Sequence, residues 1–135
     1  MNRDQPIILV VDDETHILHV VSLKLLNAGY KIITAEDGEE GLQAALRHRP
    51  QLVITDFQMP YRSGLELCQE LKRREETRDI PCLLLTARGF SLSPRLLAET
   101  NIAAVISKPF SLREIISRVE GLVGPAPKQE ASDAA

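Results

Sequence analysis

A parallel α/β sandwich is the fold class this sequence predicts, and three observations carry the prediction. Five short apolar runs rich in Ile and Val recur along its 135 residues. Longer stretches with helical spacing separate those runs, and turn or capping residues mark most of the junctions. The length suits one domain that buries a core of its own without disulfide or metal staples.

The first run, Ile7 to Val11, is apolar throughout, as expected of a strand covered on both faces. Ile17, Val21 and Leu25, with Leu18 and Leu26, mark a long first helix, and Gly29 follows in a position suited to a left-handed cap. Lys31 to Ala35 is the second strand, and the helix after it carries Leu42, Ala45 and Leu46. Gln51 to Thr55 is the third strand. Its helix carries Leu65, Cys68 and Leu71, and the charged end Lys72-Arg73-Arg74-Glu75-Glu76 reads as a solvated last turn whose cations suit the helix dipole. In the fourth run, Pro81 to Thr86, Cys82-Leu83-Leu84-Leu85 is again apolar throughout, so the first and fourth strands are expected in the sheet interior. Ser93 caps the fourth helix with Pro94 at its first position, where a missing N–H does no harm. Ile102 to Ser107 is the fifth strand. The last helix opens with the capping-box sequence Ser111-Leu112-Arg113-Glu114 and sets Leu112, Ile115, Ile116, Val119, Leu122 and Val123 on one stripe. Right-handed crossovers make this a doubly wound (βα)5, flavodoxin-like sandwich, its parallel sheet in the order 2-1-3-4-5. The domain is expected to span residues 1–123. Residues 124–135 have almost nothing to bury and read as a disordered tail or the start of a linker.

Composition narrows the function. Apolar residues make up 44% and charged residues 26%, ordinary for a soluble globular chain. A net charge of −3 attracts neither nucleic acid nor an anionic membrane, so neither is expected as a direct partner. The apolar run near the amino terminus is too short for a signal-peptide core or a membrane span, and a cytoplasmic location follows as the expectation. Cys68 and Cys82 form no ligand-spaced set and read as buried, reduced small hydrophobes. His16 and His19 read as helix-surface residues.

In an open α/β sheet, ligands bind beyond the carboxyl ends of the strands. Strand one runs into Asp12 and Asp13, strand three into Asp56, strand four ends at Thr86, and strand five runs into Lys108. These ends share one edge, so three carboxylates, a hydroxyl and an ammonium converge. Taken singly, Asp12 and Asp13 suit a helix cap, Asp56 a turn, and Lys108 the surface; their common edge favours a site. Three close carboxylates repel unless a cation sits among them, and oxygen ligands without Cys or His suit Mg2+ rather than zinc. Magnesium beside a carboxylate nucleophile points to phosphoryl transfer onto aspartate, with Lys108 and Thr86 neutralising charge on the moving oxygens.

At these residues the chain resembles the receiver domain of bacterial two-component response regulators. The resemblance covers nearly all of residues 6 to 123 and rests on Val10-Val11-Asp12-Asp13-Glu14, on Ile54-Thr55-Asp56-Phe57-Gln58-Met59-Pro60 with Gly64 following, on Leu85-Thr86-Ala87, and on Ser107-Lys108-Pro109-Phe110. It implies that Asp56 is the phosphoacceptor and that Asp13 and Asp56 are direct Mg2+ ligands, with Asp12 completing the acidic pocket and Gln58 supplying a backbone carbonyl. It implies that Lys108 pairs with the phosphoryl group, that Thr86 turns its hydroxyl toward it, and that the Lys108-Pro109 bond is cis. Its partners would be a sensor histidine kinase or phosphotransfer protein and a downstream protein target engaged through the fourth helix, fifth strand and fifth helix, in a monomer or weak dimer. It would phosphorylate and dephosphorylate itself but turn over no separate substrate, and so is not an enzyme in that sense.

Two positions depart from the family pattern. Many receivers carry Tyr or Phe where Val105 stands, so the aromatic half of the switch is in question and Phe90, in the loop from Ala87 to Leu92, becomes the apolar reporter. Arg88, like Gln58, flanks water's access to the phosphate and is either a solvated charge or a modulator of hydrolysis. Other classes fit less well. An aspartyl-phosphate phosphohydrolase usually has a second aspartate at the position of Gln58; a nucleotide or flavin domain needs a glycine-rich turn where Asp12-Asp13-Glu14 stands. A receiver-like scaffold that is never phosphorylated would have no use for the complete acidic set.

Overall fold

Alternation along each strand builds two cores at once. In a computed structural model describing residues 5–87 and 92–126, Ile8 and Val10 of β1 (Ile7–Val11) face one side of the sheet, and Leu9 and Val11 face the other. With β2 (Lys31–Ala35), β3 (Leu52–Asp56), β4 (Cys82–Thr86) and β5 (Ile102–Ser107), β1 forms a parallel sheet in the order β2-β1-β3-β4-β5. That is the expected order. The interior strands β1 and β4 are joined there by β3, whose five residues are all buried.

Helices α1 (Thr15–Asn27) and α5 (Leu112–Val123) cover the first face: Leu18, Val21, Leu25, Ile115 and Val119 pack on Ile8, Val10, Leu52, Ile54, Leu83 and Leu85. Helices α2 (Gly38–His48) and α3 (Gly64–Arg73) cover the second, where Leu42, Ala45, Leu67, Cys68 and Leu71 meet Leu9, Val11, Val53 and Leu84. Helix α4 (Pro94–Ala98) is a short turn capped by Ser93, with no fully buried residue. Burying apolar surface on both faces at roughly 25 cal/mol per Å² is what holds the sheet between its helices.

Several boundaries and caps differ from the sequence reading. Strand β3 starts at Leu52 and takes in Asp56, because Asp56 is in register with Leu85 of β4 and the next N–H, of Phe57, still donates to Leu85 O at 2.9 Å. On α3, Leu67 rather than Leu65 is fully buried. This helix carries a complete capping box between Ser63 and Glu66, whereas at α5 the Ser111 side chain accepts from Glu114 N. The charged end of α3 folds back on itself, Arg73 and Arg74 both pairing with Glu70. Gly29 adopts φ 103, the left-handed geometry expected after α1. Cys68 and Cys82 are free and buried. Past α5, the Tyr30 hydroxyl donates to Gly124 O at 2.9 Å and Ala126 packs on the first core.

Candidate functional site at the carboxyl edge of the sheet

Parallel pairing brings the carboxyl ends of β1, β3, β4 and β5 to one edge, and with them the polar residues that end or follow each strand. Asp12, Asp13 and Asp56 each present a carboxylate oxygen, and these atoms lie within 4.8 Å of one another. Asp13 is exposed, while Asp12 and Asp56 are buried, at 1% and 6% relative accessibility. Lys108 Nζ sits 2.7 Å from Asp56 Oδ1 and 4.0 Å from Glu14 Oε1. Thr86 ends β4 on the same edge and is buried, its Oγ1 without a hydrogen-bond partner among the described residues. The Lys108-Pro109 bond is cis.

The electrostatics of this cluster are unbalanced. Asp12 Oδ1 accepts the Glu14 N–H at 2.8 Å, but Oδ2 is buried with no partner among the described residues. Burial, aided by the charge of Asp56, pushes the Asp12 carboxyl up to about 6 against the pull of the Glu14 N–H and Lys108. Burial also works against the Lys108 ammonium, yet the hydrogen bond and charge of Asp56, with Asp12 and Glu14, hold it above the ordinary lysine value. Among the described residues one ammonium serves three carboxylates. Three convergent carboxylates, one with an orphaned buried oxygen, fit a hard divalent cation with oxygen ligands. The capping alternative does not describe Asp12 and Asp13, because Glu14 is the N-cap of α1 and makes no side-chain cap bond.

The loop after β3 shapes the floor of the site. Thr55 Oγ1 donates to Asp56 O at 2.9 Å, and the Gly64 N–H donates to Phe57 O at 2.7 Å, which closes the loop against the strand end. At its tip Arg62 N donates to Pro60 O at 2.7 Å across Tyr61, whose φ of 70 makes a γ-turn of the rare, strained hand. Nothing in the sequence pattern signalled this turn or the Glu14–Lys108 approach. Gln58 is exposed on this loop, and Val105 is half-buried on β5, in register with Leu84 and against the second core. Arg88 and Phe90 lie outside the described residues.

A family profile described as response regulator receiver domain matches residues 8–120. The alkaline phosphatase synthesis transcriptional regulatory protein PhoP of Bacillus subtilis is 38% identical over 116 residues, covering 86% of this chain and 48% of that protein. The chain spans about half the length of PhoP and of two further curated relatives that it matches. Among solved structures, the chemotaxis response regulator CheY4 of Vibrio cholerae superposes with TM-score 0.80 at 27% identity, over 87% of this chain and 98% of the other. The response regulator TrrA of Thermotoga maritima, crystallised in complex with Mg2+ and BeF, gives 0.77 at 35% identity, over 87% and 99%.

Proposed function

The chain belongs to the response regulator receiver family, the phosphoacceptor signalling modules of two-component systems, and from that premise we propose that Asp56 is the residue that takes the phosphoryl group. The observation that carries the assignment is the 2.7 Å pair between Asp56 and Lys108 beside two further carboxylates. Asp56 is the only one of the three aspartates that the ammonium bridges, so the charge that would meet a phosphoryl oxygen is already aimed at it.

In the first step an Asp56 oxygen attacks phosphorus, the O–P bond forms, and the donor's bond to phosphorus breaks, leaving an acyl phosphate; in a separate hydrolytic step water attacks phosphorus, the Asp56 O–P bond breaks, inorganic phosphate leaves and the carboxylate is restored. Lys108 moves its hydrogen bond from Asp56 Oδ1 to the phosphoryl group and offsets the added negative charge. Thr86, with its hydroxyl unpartnered, donates to the same group and carries β4 with it. Asp12, Asp13, Asp56 and the main-chain carbonyl of Gln58 would hold Mg2+, which supplies charge neutralisation on the transferring oxygens when bound. Arg88, which flanks water's access to the phosphate, is either a solvated loop charge or a modulator of hydrolysis, and Val105, lacking a ring, leaves the signal to the loop from Ala87 to Leu92.

The donor is a sensor histidine kinase or phosphotransfer protein, and a downstream protein target is engaged through the face of α4, β5 and α5. The protein works as a cytoplasmic module, a monomer or weak dimer contacting neither nucleic acid nor membrane directly; among the described residues no helix is long and apolar enough to cross a bilayer. Residues 1–123 form the receiver and 124–135 a tail or linker. It phosphorylates and dephosphorylates itself without turning over another substrate. Intact mass after incubation with Mg2+ and acetyl phosphate tests the assignment. An acid-stable, alkali-labile phosphoryl adduct on the wild type that is absent in Asp56→Asn is expected; an adduct that survives the substitution, or none on the wild type, defeats it.

A further inference from the structure

Two glycines stand where the main chain around Asp56 leaves no room for a side chain. Gly64 opens α3 directly against the end of β3: a Cβ there would fall on Asp56 O, closer than any real Cβ approaches an oxygen, with Asp56 C at 3.0 Å and Phe57 Cα at 3.1 Å. Its φ is not in the left-handed region, so the requirement is steric rather than conformational. The same carbonyl already accepts the Thr55 hydroxyl, and the next residue is held by Phe57 N to Leu85 O at 2.9 Å and by Gly64 N to Phe57 O at 2.7 Å. Asp56 therefore cannot yield on either side without breaking a bond that fixes it. Gly38 repeats the arrangement one layer out. A Cβ on this first residue of α2 would fall on Arg62 O, with Arg62 Cβ at 2.6 Å and C at 2.8 Å, and Arg62 lies two residues before Gly64. Gly41, one turn along α2, is different: the nearest atoms to its Cβ would be side-chain atoms rather than main chain, Val11 Cγ at 3.1 and 3.2 Å and Leu67 Cδ2 at 3.3 Å, so a few tenths of an ångström of side-chain adjustment would make room.

Resting on the phosphoacceptor reading of Asp56, we propose that Gly64, and Gly38 acting through Arg62, are positioning residues whose missing side chains set where the Asp56 carboxylate sits against Lys108 and the other two aspartates. A methyl at position 64 forces the Asp56 carbonyl or the start of α3 to move by roughly 1 Å, a displacement that costs transfer reactions about 100-fold. A methyl at position 38 moves the loop instead and reaches Asp56 second-hand.

The test compares Gly64→Ala, Gly38→Ala and Gly41→Ala with the wild type. Each is measured for its thermal midpoint, its rate of phosphorylation by acetyl phosphate with Mg2+ at a temperature where it is folded, and the NMR shifts of the Asp56 carboxyl carbon and Lys108 ammonium. Expected are a rate about 100-fold lower in Gly64→Ala and about tenfold lower in Gly38→Ala, with both side-chain signals displaced, and a wild-type rate and spectrum in Gly41→Ala. Folded Gly64→Ala and Gly38→Ala proteins with wild-type rates and signals overturn the proposal, as does the failure of both to fold, which would make the role structural only. If only Gly64→Ala fails to fold, Gly38→Ala decides by the same criteria. The NMR signals keep the two readings apart: a wild type that takes no phosphoryl group sinks the phosphoacceptor assignment, while displaced Asp56 and Lys108 signals in the variants still uphold the positioning role.

Discussion

The two ends of the parallel sheet treat buried polar atoms in opposite ways. At the amino-terminal edge they are matched: the Tyr30 hydroxyl donates to Gly124 O at 2.9 Å and the Thr77 hydroxyl to Leu71 O at 2.8 Å. Asn101, whose amide donates to Ile80 O, also accepts the Cys82 thiol at 3.2 Å. At the carboxyl edge Asp12 Oδ2 and Thr86 Oγ1 are buried with no partner, and three carboxylates crowd one ammonium. A buried polar atom left unpaired costs about 1–3 kcal/mol, so such atoms are normally removed or satisfied. Among the described residues Ser22 Oγ, within α1, and Arg62 Nε, in the loop before α3, are also buried without a partner, so what separates the two ends is the crowding of carboxylates beside unpaired oxygens at the carboxyl edge.

The difference can be broken or sharpened by substitution, starting where the effect is largest. Lys108→Met removes the cation that faces the Asp56 oxygen; phosphorylation by acetyl phosphate should slow on the order of 100-fold, read by the rate of mass gain. A wild-type rate would mean the ammonium serves stability alone.

Asp12→Asn comes next. The carboxyl ordinarily ionises at 3.8 and here at about 6, so the folded state binds a proton that the unfolded state has lost; Asp12 adds nothing unfavourable below pH 3.8 and destabilises progressively as pH rises through 6. The full difference is on the order of 3 kcal/mol, and because an asparagine also leaves a buried polar atom unsatisfied, the gain expected at pH 7 without Mg2+ is about 2 kcal/mol. Urea unfolding should show that gain shrinking toward pH 4, and Mg2+ should stabilise the wild type at pH 7 more than at pH 5. A gain that does not change with pH would show that burial of the charge is not its source.

Tyr30→Phe at the matched edge should lower stability by about 1 kcal/mol and leave the phosphorylation rate unchanged, since the hydroxyl's bonds to the Gly124 and Ala126 main chain lie away from the carboxyl edge. Thr86→Val, nearly the same shape, gives up no hydrogen bond and should shift stability by less than about 0.5 kcal/mol, while amide shifts in β4 stop responding to beryllofluoride. A large loss of stability in Thr86→Val would reveal a partner for the hydroxyl and erase much of the contrast between the two ends.

The strands and the site residues were legible because each depends on local facts. An apolar run such as Ile7 to Val11 has no exposed face, and a polar residue after it, such as Asp12, has to sit at the sheet edge. Asp12, Asp13, Asp56, Thr86 and Lys108 were singled out this way, and the structure brings the three carboxylates and the Lys108 ammonium together, with Thr86 at the end of β4. Features that arise from one segment touching another were not legible. The capping box of Ser63 and Glu66 is spelled out in the chain, but the left-handed Tyr61 beside it is held by how the loop must close on α3 and has no residue preference to announce it. The choice of Leu67 over Leu65 for the core follows from the rotation of α3 about its axis, which packing against α2 and the sheet sets.

Periodicity and the placement of charge thus suffice for the βα order, the sheet and the five residues at its edge, since these follow from hydrogen bonding and burial along one segment at a time. How close α2 and α3 come to Asp56, which oxygens go unpaired, and why positions 38 and 64 are glycine belong to the folded molecule. The reason is steric: close packing is a property of two surfaces in contact, and neither surface is written in the other's stretch of sequence.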